Sequence, residues 1–339
     1  MAEDPLAVPR TTGTKIRRCY IHIGTHKTGT TSLQHVLNTQ RNKLIELSYL
    51  YPCTGRPANA RRGQHNIAWA LSRDRRFRKR YGTIDELLTE IAGVRYDVIL
   101  SSEDFESCIF HPEAFASFIE RLKGLNLDIT LIVYFRNQVE YSRSLYLELL
   151  PFGLNVPFRE FLAVLMDRGE FRWREWIFPF DYEEFFKRLQ SIDHVAVVAR
   201  SFDSARGALI DDFCSILGFS STKLITGEDI RLNEPTSTAT ALAHYYRNCV
   251  GRWLLPSERT ALSSLYQSAE IQIDMTHHSK LKLIERFANS NQRLSQVSGI
   301  PTFDNMHSEV VKPEPDKNIF MEDLFSPDLL SAVKERVNR

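Results

Sequence analysis

A single lysine set among glycines and hydroxyls, Gly24-Thr25-His26-Lys27-Thr28-Gly29-Thr30-Thr31-Ser32, is the stretch of this chain best suited to chemistry. Its residue types are those that bind an anion. Lys27 supplies a compact positive charge, and Thr28, Thr30, Thr31 and Ser32 supply hydroxyl donors. Upstream, Tyr20 to Ile23 is an apolar β-like run; downstream, Leu33, Val36 and Leu37 fall at i, i+3 and i+4 of a helix. Strand, glycine-bounded loop and helix start, in that order, predict a phosphate cradle. Loop N–H groups point at the anion, and the helix dipole adds about 0.3–2 kcal/mol. The nucleotide-triphosphate pattern G-x-x-x-x-G-K-[ST] puts lysine directly after the second glycine. Here Lys27 comes two residues before Gly29, which argues against an ATPase.

A second basic position answers the first. Leu127 to Phe135 is rich in β-branched and aromatic residues and reads as a buried strand. It ends in Arg136-Asn137, followed by a helical segment through Leu150 that Pro151 stops. In open α/β sheets ligands gather at the carboxyl ends of strands, which is where Arg136 emerges. Ser142 and Ser144 follow on the helix. At 100° per residue they lie about 200° apart, so only one can share the side of a bound phosphate.

The run from Gly24 to Ser32 resembles the 5′-phosphosulfate loop of sulfotransferases that use 3′-phosphoadenosine 5′-phosphosulfate (PAPS), and its Lys-Thr-Gly-Thr-Thr-Ser-Leu-Gln segment is similar to that of the bacterial carbohydrate-type branch. The resemblance implies that Lys27 is catalytic and contacts the bridging oxygen. His26, Lys27, Thr28, Gly29, Thr30, Thr31 and Ser32 would hold PAPS, and 3′,5′-ADP would be the product. It also implies that Arg136 and the serine eight residues on, Ser144, bind the 3′-phosphate. Gln138 stands where the family usually has a proline. Asp181-Tyr182, Arg200-Ser-Phe202 and Asp212-Phe213 with Leu217-Gly218 match the family's middle section, so the likeness covers residues 18 to 300. Arg231-Leu-Asn-Glu-Pro-Thr236 is similar to an R-x-N-x-S-x-S element, with Pro235 in place of its first serine; Arg231 would close over the cofactor phosphates. The implied activity is in-line transfer of a sulfuryl group from PAPS to a hydroxyl, or an amine, of a carbohydrate or glycoconjugate, with no metal expected.

Such an acceptor needs a general base, worth ~10²–10⁴-fold. His65, in Gly63-Gln-His-Asn66 before an apolar helix, is one candidate, since histidine titrates near neutrality. Glu103, in Ser101-Ser-Glu-Asp-Phe105 at the carboxyl end of an apolar strand, is the other. His65 ranks first, and Glu103 would otherwise orient the acceptor or the histidine. His22 alternates within its strand and reads as structural; His277 and His278 read as surface residues.

The elements that must position these groups alternate as an α/β fold requires. Strands are predicted at Tyr20, at Leu47 to Tyr51, at Asp97 to Leu100, at Ile129 and at His194 to Ala199. Thr83 and Glu86 form a capping box for a helix closed by Gly93, and further helices end at Gly124 and Gly218. The expected fold is α/β: a three-layer P-loop-type core around a central parallel sheet over 17–230, a tail at 1–16, and a mainly helical C-terminal lobe at 231–339. A net charge of +1 gives no field for nucleic acid, and the run Arg73-Asp-Arg-Arg-Phe-Arg-Lys-Arg80 reads as a solvated face or an anion attractor. Five scattered cysteines, without a Cys-x-x-Cys pair, suggest a reducing compartment. No apolar run is long enough to span a membrane, unlike the anchors of Golgi sulfotransferases, so a cytoplasmic enzyme is expected. A P-loop kinase or NTPase, or a non-catalytic nucleotide-binding module, is the alternative.

Overall fold

The computed structural model describes residues 16–57, 62–224, 237–265, 273–303 and 319–338. Arg231, Asn233, the boundary at 230/231, almost all of the N-terminal tail and most of the loop expected from Pro301 to Asp316 lie outside them.

Along the first strand, β1 (Arg17–Gly24), Cys19, Ile21 and Ile23 point to one face of the sheet and Tyr20 to the other. Both faces are therefore covered, which is the condition for a parallel sheet. On one side Leu33, Val36 and Leu37 of the helix Thr30–Thr39 join Phe213 and Leu217 of the helix Leu209–Leu217. On the other, the helices Ile84–Ala92 and Pro112–Lys123 bring Leu87, Ile91, Phe115, Phe118 and Leu122. The Thr83–Glu86 capping box is present, with both reciprocal hydrogen bonds made.

Five strands form the sheet, all parallel. They are β1, β2 (Tyr49–Leu50), β3 (Asp97–Ser101), β4 (Leu127–Phe135) and, after a separate antiparallel hairpin of β5 (Glu170–Trp173) and β6 (Trp176–Pro179), β7 (Val195–Ser201). Their order is β2-β3-β1-β4-β7. The chain leaves β1 toward β2 on one side and leaves β4 toward β7 on the other. The crevice between the carboxyl ends of β1 and β4 is thus a topological switch point, where open α/β sheets bind ligands. Lys27 follows β1, and Arg136 follows β4.

The β5–β6 hairpin has no counterpart in the sequence reading. Its turn, Arg174-Glu175, carries no glycine or asparagine, and Arg174 itself adopts a positive φ of 56°. The helices Thr238–Val250, Pro256–Leu265, His277–Ser298 and Pro327–Val337 follow. Tyr245, Leu283, Phe287 and Leu294 from them join the same buried cluster as β1 and β4. Gln138 and Asn291 tie the long helix to the one after β4 through paired amide hydrogen bonds of 2.8 and 3.1 Å. Among the described residues no helix is long and apolar enough to cross a membrane.

Candidate active site

The loop after β1 is held open by backbone geometry. Gly24, Lys27 and Gly29 have φ of 97°, 62° and 73°. Successive N–H groups in such mixed conformations make an anion-binding concavity. At Gly24 a Cβ would come within 2.8 Å of Glu103 Cα, and at Gly29 within 2.6 Å of Leu209 Cδ2. Glycine at both positions lets the turn after β3 and the helix Leu209–Leu217 close against the loop.

Two N–H groups of the loop are used internally: Thr25 donates to the Tyr134 carbonyl at 3.3 Å, and His26 to Glu106 Oε2 at 2.9 Å. Among the described residues, no acceptor meets the N–H groups of Lys27, Thr28, Gly29, Thr30 or Thr31. Pairing resumes at Ser32 and Leu33, which both donate to the Gly29 carbonyl. Thr28 buries its hydroxyl on the Thr25 carbonyl, so what it offers the concavity is its N–H. The Lys27 side chain is half-buried, and among the described residues no carboxylate pairs with it.

Arg136 braces this loop. Its guanidinium donates to the Lys27 carbonyl at 3.0 Å and to Glu140 at 3.2 Å, and lies over the Phe202 ring at 5.6 Å. Its Nε is buried without a partner, and burial lowers the arginine's pKa. An orphaned buried donor beside the loop fits a second phosphate. Glu140 also pairs with Arg143, and Ser144 follows one turn later, half-exposed. Ser142 is fully buried, with its hydroxyl donating to the Val139 carbonyl at 2.9 Å, so of the two serines Ser144 is the accessible one.

On the other flank, β2 reaches only Val98, leaving the main chain of Ser101 open at the end of β3. Gln64 takes both groups: its side-chain oxygen accepts from Ser101 N, and its own N–H donates to the Ser101 carbonyl, each at 2.8 Å. This stitch fixes the start of the helix His65–Leu71 against the turn after β3. His65 is not a surface residue; it is 2% exposed. Its Nδ1 lies 2.8 Å from Asp104 Oδ2 and 2.9 Å from Ser102 Oγ. Asp104 also accepts from Arg76 at 2.8 Å. Against the burial that opposes it, the hydrogen bond to His65 and the Arg76 guanidinium hold the Asp104 carboxyl well below the usual range. An ionised carboxylate only accepts, so Nδ1 of His65 carries a hydrogen toward Asp104, and Nε2 is the ring nitrogen left for another partner.

Glu103 lies 4.0 Å from His65 and accepts from the Gln34 amide at 2.7 Å. Despite burial its pKa is lowered, chiefly by His65. His26 is bound through Nδ1 to the buried Glu106 at 3.0 Å. Burial alone would lower its pKa, but Glu106 outweighs that and pushes it up to about 9, while burial raises the pKa of Glu106 itself. His22 is structural, as its alternation predicts: burial pushes it down to about 4, and it contacts Ser101 Oγ at 2.9 Å.

These groups meet in a cleft of about 170 Å³ lined by His26, Thr31 and Gln34, by His65, Arg76, Glu103 and Asp104, and by apolar side chains that include Trp176 and Phe178. Lys27, Arg136 and Ser144 stand outside that lining, on the switch-point flank. Sequence reasoning missed Asp104, Arg76 and the β6 aromatics. Arg76 leaves the otherwise solvated basic run because its guanidinium is sandwiched between Trp69 and Trp176, at 4.5 and 4.6 Å. Among the described residues no group of three His, Cys, Asp or Glu is arranged to hold a metal. No protein-family model matches this chain, and no curated protein matches it.

Proposed function

We propose that this chain is a sulfotransferase that moves a sulfuryl group from PAPS to an acceptor hydroxyl or amine. The observation that carries this reading is the run of unpaired N–H groups from Lys27 to Thr31, with Arg136 bonded to the same loop at 3.0 Å. A loop of that kind suits the 5′-phosphosulfate, and the orphaned Nε of Arg136, with Ser144, suits the 3′-phosphate. In this reading the sheet is a P-loop-type core, and the helices after residue 237 form a lobe on the acceptor side. Five unpaired cysteines fit a cytoplasmic setting.

PAPS, when bound, supplies an activated sulfuryl group on a phosphate leaving group. Lys27 and the loop N–H groups neutralise charge on the departing phosphate oxygen, the kind of preorganised stabilisation that contributes a few kcal/mol. His65 Nε2 takes the acceptor proton while Asp104 holds the ring and stabilises the imidazolium that forms. Glu103, already bonded to Gln34, orients the acceptor.

Thermal shift with 3′,5′-ADP and ATP tests the reading. Stabilisation by 3′,5′-ADP alone supports it, and transfer from labelled PAPS then excludes a non-catalytic binding module. Stabilisation by ATP with Mg²⁺ and not by 3′,5′-ADP would transfer the chain to the kinase or NTPase class.

A further inference from the structure

The cleft holds two polar groups that the described protein does not satisfy. Glu148, on the helix Gln138–Leu149, is one of the lining residues, and its Oε2 is buried without a hydrogen-bond partner. Trp176, 9% exposed, lines it with an indole N–H in the same condition. A buried donor or acceptor without a partner is costly, so a ligand that supplies the complement gains by doing so. The other charged side chains of the lining have hydrogen-bond or ion-pair partners. Arg76 is held by Asp74 and Asp104, His26 by Glu106, and Glu103 by the Gln34 amide. His26 also acts on Glu148 through charge, but its Nδ1 is committed to Glu106. What is left over is an unpartnered carboxylate oxygen at Glu148 and an unpartnered donor at Trp176.

We infer that Glu148 and Trp176 select the acceptor, and that the acceptor is a hydroxylated ring bearing a protonated amine. The ammonium pairs with Glu148, a ring hydroxyl oxygen accepts from Trp176 Nε1, and the apolar face of the ring lies against Phe152 and Phe178. An acceptor carrying a carboxylate or sulfate brings like charge to Glu148 and is excluded. At about 170 Å³ the cleft is smaller than the ~300–1,000 Å³ of pockets for drug-sized ligands. It takes one ring and leaves the rest of a larger acceptor outside. This inference rests on the sulfotransferase reading of the cleft, but its test does not.

Equilibrium binding of glucosamine, N-acetylglucosamine and glucuronic acid to the full chain, with 3′,5′-ADP present and absent, is the experiment. A charge-assisted hydrogen bond predicts glucosamine binding about tenfold or more tighter than N-acetylglucosamine, with glucuronic acid weakest. Glu148→Gln is expected to remove that preference, and Glu148→Asp to keep part of it. Trp176→Phe, which keeps a ring and loses the N–H, is expected to weaken all three alike. Equal binding of the three sugars, no binding of glucosamine, or an unchanged preference in a folded Glu148→Gln protein overturns the inference. Failure of 3′,5′-ADP to bind, with the sugar ranking intact, would sink the sulfotransferase reading and leave the amine selectivity standing.

Discussion

The two flanks of the Lys27 loop are built on opposite accounts of hydrogen bonding. Toward β4, donors are left open: the N–H groups from Lys27 to Thr31 and the Nε of Arg136 have no acceptor among the described residues. Toward β3, the protein supplies acceptors, and most are already engaged: Asp104 by His65 and Arg76, Glu103 by Gln34, Glu106 by His26. A surface of unspent donors suits an anion that arrives with its own oxygens. A set of pre-engaged carboxylates suits a site that must hold a histidine in one tautomer and move a proton. The loop between them belongs to both, as the proposed transfer from phosphate to acceptor requires.

That contrast is broken most severely on the β3 flank. His65→Ala is expected to cost ~10²–10⁴ in kcat while leaving the affinity for 3′,5′-ADP unchanged. Asp104→Asn should reproduce part of the loss, because an amide no longer fixes Nδ1–H or stabilises the imidazolium. Glu103→Gln, which keeps shape and removes charge, is the control. If it proves inactive while His65→Ala turns over near normally, the carboxylate is the base and the histidine only packs against Trp69.

On the loop, Lys27→Ala is expected to lower kcat by ~10²–10³, the usual loss of one preorganised charge at a transition state. Its melting temperature should not move, since the side chain pairs with no carboxylate among the described residues. Arg136→Ala sharpens the comparison from the other end. In the proposed PAPS complex the 3′-phosphate is remote from the reacting sulfur, so its contacts would act alike on ground and transition states. The expected outcome is a weaker 3′,5′-ADP complex, by ~10–100-fold for a charged hydrogen bond, with kcat at saturation little changed. Calorimetry with 3′,5′-ADP decides it, and an unaltered Kd removes Arg136 from the binding site.

The donor flank was legible in the sequence because its signals are local. A strand, Gly24, Lys27, Gly29 and an amphipathic helix follow one another within a few turns, and Arg136 announces itself by ending an apolar strand. The acceptor flank was only half legible. His65 and Glu103 can each be picked by residue type and position, but the partner of His65 is Asp104, 39 residues on, and only the Gln64–Ser101 stitch brings them together. Nothing in a run of arginines distinguishes Arg76 from its solvated neighbours, since its aromatic partners come from a helix and from the β5–β6 hairpin. That hairpin was itself unread, as its turn lacks the residues that mark one. Local chemistry writes the glycine-bounded loop, and tertiary pairing writes the His65–Asp104 contact.

The smallest expected effect lies where the two flanks join, at the His26–Glu106 pair beneath the loop. His26 has its pKa raised to about 9, from an unfolded value of about 6.5. The folded state therefore holds this proton more tightly than the unfolded chain does. The resulting stability is fully present below pH ~6.5 and is lost as pH rises through about 9. The melting temperature should accordingly decline across that window, by roughly 1–2 °C for each kcal/mol lost in a chain of 339 residues. Glu106→Gln removes the charge that raises the histidine and should flatten the decline. It should also weaken 3′,5′-ADP binding at neutral pH, because a neutral His26 no longer adds positive charge to the loop. Calorimetric melts of wild type and Glu106→Gln between pH 6 and 10 are the measurement. Parallel curves would mean that the pair does not titrate as a unit, and that the loop draws its positive charge from Lys27, Arg136 and the N–H groups alone.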